Sequence, residues 1–170
     1  MKQLNIGCGT DYREGFINID GSDTLAKVDK IIDLGRESLL DHFAAGEIDF
    51  IIANDIVEHQ FHWEAVRLLT EFFTLLADGC TAKIRVPDAE YIINSTQIPI
   101  GRKISLLFGG QDIPQRVNAE MDNSRKKHPQ FFCHKYGWTM EAMRRELKRV
   151  GFSQVTCKSA GTNFVAYATK

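Results

Sequence analysis

The residues best suited to chemistry stand at the start of the chain. Leu4-Asn5-Ile6-Gly7-Cys8-Gly9 reads as a short apolar strand that breaks at a Gly-x-Gly turn. Such a turn lets the backbone come close to a ligand lying across the strand's carboxyl end. Asp20 ends the next strand candidate, where a carboxylate can accept hydrogen bonds from both hydroxyls of a ribose. Asp33-Leu34 follows a third, where a carboxylate can accept from an adenine amino group. Position 12 holds Tyr12, not the third glycine of a dinucleotide fingerprint, and no Gly-Lys-Ser/Thr follows to make a phosphate loop. A glycine turn with two carboxylates on successive strand ends describes a nucleoside pocket lacking a pyrophosphate cradle. S-adenosylmethionine, an adenosine carrying a sulfonium amino acid, is such a ligand. Each aspartate alone is equally well a turn former; their combination with the glycine turn favours the pocket.

Methyl transfer from a sulfonium asks the protein mainly to align the acceptor and exclude water. A hydroxyl acceptor also needs a general base, for which histidine is the suited residue type. The candidates are His59 and His134, each with a packing role as its alternative. His134 precedes Tyr136 and Trp138, aromatics able to wall an acceptor pocket. Asp88, after Val86-Pro87, is either an acceptor contact or a helix N-cap. Glu58, His59 and His62 are metal-ligand types, but they complete neither a zinc nor a facial-triad spacing, so no metal is expected.

The elements that must position these residues alternate between strand and helix. Strands are expected at Leu4 to Ile6, Phe16 to Asp20, Val28 to Leu34 and Ile48 to Ala53, the last apolar enough for burial on both faces. Trp63, Val66, Leu69, Phe73 and Leu76 recur at helical spacing, with Asp78-Gly79 as the expected stop. Ala82, Ile84 and Val86 alternate with Lys83 and Arg85 in a strand that Pro87 closes. Thr139 caps a helix carrying Met143 and Leu147, and two strands follow, around Val155 and from Asn163 to Thr169. The expectation is a single α/β domain over residues 1–170. Its Rossmann-like sheet is mostly parallel, with helices on both faces and an antiparallel last strand. Residues 88–138 form a long, polar, partly helical insertion, with Gly109-Gly110, Pro114 and the basic run Arg125-Lys126-Lys127.

The opening from Leu4 through Thr10-Asp11-Tyr12 to Asp20 resembles that of the class I S-adenosylmethionine-dependent methyltransferases, closest to a small branch of the type 11 group. Ile48 to His59, with its Glu58-His59, resembles that family's fourth-strand motif, and Leu76 to Asp88 its next helix, glycine and Val-Pro-Asp. Gly109-Gly110-Gln111 and His134 to Thr139 resemble later signatures of the same branch. The resemblance implies that Gly7, Cys8 and Gly9 lie beside the methionine part of the cofactor, Asp20 at the ribose, Asp33 and Leu34 at the adenine, and Asn54 at the amino-acid end. Asp88, Gln111, Tyr136 and Trp138 are the candidates for the acceptor side. Only ten residues separate Gly9 from Asp20, so the usual first crossover helix must be very short or missing. The chain also starts at the first strand, and the pocket is expected to be closed by the insertion or by a second subunit.

Composition agrees with this and excludes other classes. The 170 residues are 44% hydrophobic and 25% charged, the balance of a soluble globular domain. A net charge of −1 argues against a dedicated nucleic-acid binder, and the runs Arg125 to His128 and Arg144 to Arg149 read as solvated faces. No apolar stretch reaches membrane-spanning length. Cys8, Cys80, Cys133 and Cys157 form no Cys-x-x-Cys pair and read as thiols of a cytoplasmic protein. The expected activity is methyl transfer from S-adenosylmethionine to a small-molecule or sugar-type acceptor, with a homo-oligomer as one possible assembly. The alternatives are a methyltransferase-fold binding module without turnover and a nicotinamide-dependent oxidoreductase.

Overall fold

A computed structural model describes residues 1–111 and 118–170; Pro114 lies outside them. The strands are β1 (Gln3–Ile6), β2 (Ile17–Asp20), β3 (Lys30–Ile31), β4 (Ile48–Asn54), β5 (Leu76–Pro87), β6 (Gln154–Ala160) and β7 (Asn163–Thr169). They make one sheet in the order β3-β2-β1-β4-β5-β7-β6. β1 to β5 pair in parallel, with Leu4 opposite both Ile17 and Ile51, and β7 runs antiparallel between β5 and β6. The order reverses between β1 and β4, the switch point outside which ligands bind in open α/β sheets.

Alternation along the strands sorts the sheet into two unlike faces. Leu4, Ile6, Ile51, Ala53, Ala82, Ile84, Val86, Phe164, Ala166 and Ala168 are buried in one continuous core. Helices α1 (His62–Leu75) and α5 (Met140–Val150) pack on this face and on each other through Leu68, Leu69, Phe72, Met143 and Leu147. Each fully buried Leu or Phe contributes about 1.5–3 kcal/mol of transfer free energy. Thr139 accepts from Ala142 N at the start of α5, and Gly151 closes the helix with a φ of 125°. The opposite face shows Lys83, Arg85, Val165 and Tyr167, half-exposed. Helices do surround the sheet, but unevenly. Among the described residues the crossovers from β1 to β2 and from β2 to β3 contain no helix, because ten and nine residues are too few to lay one across a sheet. The Gly7–Phe16 loop is held instead by Asn5 and Asn18, whose buried amides bond each other and the Asp11 and Arg13 backbone.

Two boundaries differ from the sequence reading. α1 ends at Leu75, and Gly79, with a φ of 77°, sits inside β5 and not at a helix end. Residues 77–80 bulge out of register between the pairs Ile48–Leu76 and Phe50–Thr81, so the glycine serves the bulge. β3 shrinks to two exposed residues at the sheet edge, where few partners reward a longer strand. The insertion is more helical than expected: α2 (Ala89–Asn94), α3 (Ile100–Phe108), α4 (Ala119–Lys127) and a 3-10 turn at Pro129–Phe131. Among the described residues no helix is long and apolar enough to cross a membrane.

Candidate active site

Gly7, Gly9, Asp20, Asp33, Leu34, His59 and His134 line one cavity of about 290 Å³ at the carboxyl ends of the parallel strands. The glycine turn is locally dictated. Gly7 and Gly9 have φ of 65° and 51°, and a Cβ on Gly7 would meet the Ile56 side chain at 2.8 Å. Asp20 braces that turn: its carboxylate accepts from Gly9 N at 2.8 Å and from Ser22 N at 2.9 Å. Burial nonetheless pushes the Asp20 carboxyl above its ordinary range, against the pull of those backbone donors. Asp33 accepts from Gly35 N at 3.0 Å, and Leu34 is buried beside it. Cys8 is buried between the two glycines and is not among the residues lining the cavity; burial, with the Asp20 charge adding, pushes its thiol up to about 12.

The other wall comes from the insertion. Met121 of α4 lies against Gly9, with its sulfur 3.8 Å from where a Gly9 Cβ would stand, and the Phe131 ring packs over Gly21. Ser124 donates to Ser22 at 2.7 Å, while Lys127 and His128 hold Asp23. Arg125 pairs with Asp122, stacks on Phe132 at 4.5 Å and turns toward the same cavity, its buried Nε without a hydrogen-bond partner among the described residues. The insertion therefore supplies the second wall of the cavity.

Between the walls, the loop after β4 carries the groups with the most perturbed environments. Asp55 adopts a left-handed φ of 54°, rare for a residue with a side chain, and is held there by Arg85 and by Asn163. Gln60 keeps a buried Oε1, unpartnered among the described residues, facing the Asp33 loop, placed to accept a hydrogen bond from a bound ligand. His59 contacts the Cys133 carbonyl through Nδ1 at 3.0 Å, and His134 contacts the Leu106 carbonyl through Nδ1 at 3.0 Å. Burial holds both imidazoles neutral: His59 falls to about 4, with the neighbouring His134 adding to the effect, and His134 is also lowered. The rings meet edge to face at 4.8 Å. Glu58 is 1% exposed and neither carboxylate oxygen has a hydrogen-bond partner among the described residues. Burial, then the Asp55 charge, pushes its carboxyl well above the ordinary range.

The remaining sequence candidates lie elsewhere. Asn54 is the last residue of β4 and does not line the cavity; its Oδ1 is buried without a partner among the described residues. Asp88 caps α2, accepting from Tyr91 N at 3.2 Å, and faces a separate groove with Tyr91 and Met140. Tyr136 and Trp138, expected as acceptor walls, pack on His62 and into the core instead. The parallel bridge between Asp88 and Trp138 and the bond from Ala89 N to Trp138 O draw this segment inward, leaving Trp138 1% exposed. Gln111 is exposed and donates to the Phe108 carbonyl at 2.7 Å. Sequence reasoning missed Asp55, Gln60, Met121 and Arg125. The one local signal was the position of Asp55 and Gln60 flanking Glu58-His59.

No family model matches the chain, and no curated protein matches it in sequence. Solved structures do. A SAM-dependent methyltransferase from Archaeoglobus fulgidus has a TM-score of 0.62 at 13% identity over 99% of this chain and 86% of its own. A putative O-methyltransferase from Nostoc punctiforme has 0.62 at 13% identity, over 99% of this chain and 51% of its own. The 1,6-didemethyltoxoflavin-N1-methyltransferase of Burkholderia thailandensis, solved with S-adenosylhomocysteine, has 0.61 at 13% identity, over 99% and 70%. Across the similar structures the chain spans as little as 48% of the solved protein. Likeness at this identity speaks to architecture, and the architecture is clear: the chain has the Rossmann-like fold of the S-adenosylmethionine-dependent methyltransferases.

Proposed function

We propose that the protein is a methyltransferase that takes its methyl group from S-adenosylmethionine and passes it to a small-molecule or sugar-type acceptor. The observation that carries this reading is the convergence of the Gly7–Gly9 turn, the Asp20 carboxylate and the Asp33 carboxylate on one cavity at the switch point of the sheet. Asp20 suits a ribose, and Asp33 with the unpartnered Gln60 Oε1 suits an adenine amino group. Arg125 offers its cation to the cofactor's carboxylate. The structural neighbours named as methyltransferases, one of them with S-adenosylhomocysteine bound, support the choice of donor.

The reaction is an in-line displacement. Bound S-adenosylmethionine would supply an electrophilic methyl group on its sulfonium, toward which the chain would align a lone pair of the acceptor while a residue beside it takes the acceptor's proton. The chain's work is to orient the acceptor and keep water out, which α4 and the Pro129–Phe131 turn do by covering the strand ends. His59 and His134 stand at the acceptor end. Each ring is oriented through Nδ1 by a backbone carbonyl, which suits either of them to receive the proton of an acceptor hydroxyl.

Calorimetric titration with S-adenosylmethionine and, separately, with NAD tests the proposal. Saturable binding of the former alone is the expected result, followed by methyl transfer when acceptor libraries are screened. Binding of NAD alone overturns the proposal, and binding of neither leaves a methyltransferase-fold interaction module.

A further inference from the structure

The 3-10 turn Val57–His59 and the segment after Cys133 are brought together by backbone bonds. Lys135 N and Tyr136 N donate to the Glu58 carbonyl at 2.8 and 3.3 Å, and His134 N donates to the Phe108 carbonyl at 3.1 Å. The result is a cluster in which Glu58, His59 and His134 each place one ligand-type atom within 4.8 Å of the others. His134 Nε2 stands 4.0 Å from Glu58 Oε1, too far for a hydrogen bond.

Three features distinguish this cluster from ordinary packing. Glu58 is 1% exposed, with both oxygens unpartnered among the described residues, and a carboxyl group so placed lacks a partner whether it is ionised or protonated. Both imidazoles are oriented at Nδ1 by backbone carbonyls, Cys133 for His59 and Leu106 for His134, the outer-shell arrangement of ligating histidines. And His59 and His134 line the cavity proposed for the cofactor, so an ion held there is within reach of an acceptor.

We propose that Glu58, His59 and His134 form a binding site for a divalent first-row transition metal ion. Two imidazoles and one carboxylate suit zinc, manganese, cobalt or iron(II) better than magnesium or calcium. Donor atoms around such an ion at about 2.1 Å stand about 3.0–3.5 Å apart, so binding draws the three side chains together by about an ångström. Three protein ligands leave open positions for an oxygen of the acceptor; with the ion bound the imidazoles serve as ligands and no longer take the acceptor's proton, and this role rests on the methyltransferase reading. Metal binding itself does not. Sequence spacing did not reveal the site because His134 joins it from 75 residues beyond His59, in the place that His62 was considered for.

The test uses the full chain, stripped with EDTA and dialysed, then titrated calorimetrically with manganese, zinc and cobalt chlorides, with magnesium chloride as the comparison. One equivalent of a transition metal ion is expected to bind, cobalt with visible absorption bands, and magnesium at least tenfold more weakly. Glu58→Gln, which keeps the side chain's volume, should lower the affinity tenfold or more, and His134→Ala likewise, with circular dichroism confirming the fold. Absence of stoichiometric binding by the native chain overturns the proposal, as does binding that Glu58→Gln leaves unchanged. The same samples titrated with S-adenosylmethionine separate the two readings. Metal binding without cofactor binding sinks only the proposed activity, and cofactor binding without metal binding sinks only the ion site.

Discussion

The two walls of the cavity are built on different principles. The sheet wall, from Gly7 to Leu34, consists of short loops leaving parallel strands, and the strand register places them. The insertion wall, from Asn118 to His134, is placed by a few long-range contacts: Ser124 on Ser22, Lys127 and His128 on Asp23, Phe131 over Gly21, and His134 on Leu106 and Phe108. The first wall is mostly backbone and two carboxylates. The second presents side chains. A nucleoside common to many enzymes is recognised by the first kind of surface, and whatever differs from one enzyme to the next is better recognised by the second.

The largest contrast between the walls lies in their cysteines. Cys8 is 4% exposed within the glycine turn and its thiol is pushed up to about 12, while Cys133 is half-buried at the edge of the insertion. The thiolate is the reactive form, so a rise from 9.0 to about 12 cuts the reactive fraction of Cys8 about a thousandfold. Brief treatment of the native protein with iodoacetamide near pH 8, followed by peptide mass spectrometry, should label Cys133 and spare Cys8. Equal labelling would mean that the turn opens, and the distinction between a rigid and a grafted wall would fail.

Two glycines probe whether the insertion wall is as tightly specified as the turn. Gly109 has a φ of 84°, and a Cβ there would stand 2.3 Å from the Phe132 carbonyl oxygen and 2.8 Å from the His134 ring. Gly7→Ala instead meets an Ile56 side chain, which can yield. Gly109→Ala should therefore destabilise by about 3 kcal/mol and Gly7→Ala by about 2 kcal/mol, measured by urea unfolding. The reverse order would make the glycine turn the stiffer element.

How much of this was legible follows from the same division. Gly7, Asp20 and Asp33 could be read because strand ends separated by short loops must lie side by side. Glu58 and His59 stood out as residue types, but their relation to His134 depends on where a backbone 75 residues away is bonded. Tyr136 and Trp138 misled because aromatics in an irregular segment look the same whether they wall a pocket or enter a core. The Asp88–Trp138 bridge, a tertiary pairing with no local signal, decides for the core. Gly79 misled for a related reason: a left-handed glycine marks a helix end or a strand bulge equally well.

Asp20→Ala attacks the sheet wall directly. Losing the carboxylate proposed to accept ribose hydroxyls should weaken S-adenosylmethionine binding by about 1–3 kcal/mol in calorimetry. The pH dependence has a fixed sign. Burial raises the Asp20 carboxyl in the free protein, and hydroxyl donors from the ligand favour its ionised form, so the complex carries fewer protons than the free protein. Affinity should hold above the raised range and decline as the pH falls through it, and Asp20→Ala should flatten that decline. An unchanged affinity in the variant would remove Asp20 from the site.

Ser124→Ala makes the smallest change and isolates the hinge between the walls. Its hydroxyl is 2% exposed and donates to Ser22 Oγ at 2.7 Å, while Ser22 Oγ keeps Thr24 Oγ1 at 2.9 Å as a second partner. The loss leaves no orphaned buried group, so the cost should be about 1 kcal/mol or less in urea unfolding. Cofactor affinity should fall by a comparable factor, because α4 is then docked mainly by Met121, by the Lys127 and His128 pairs with Asp23, and by the Glu120 bond to Ala26 N. A loss of several kcal/mol would show that the insertion is welded to the sheet through this one hydroxyl pair, and the two walls would then count as one.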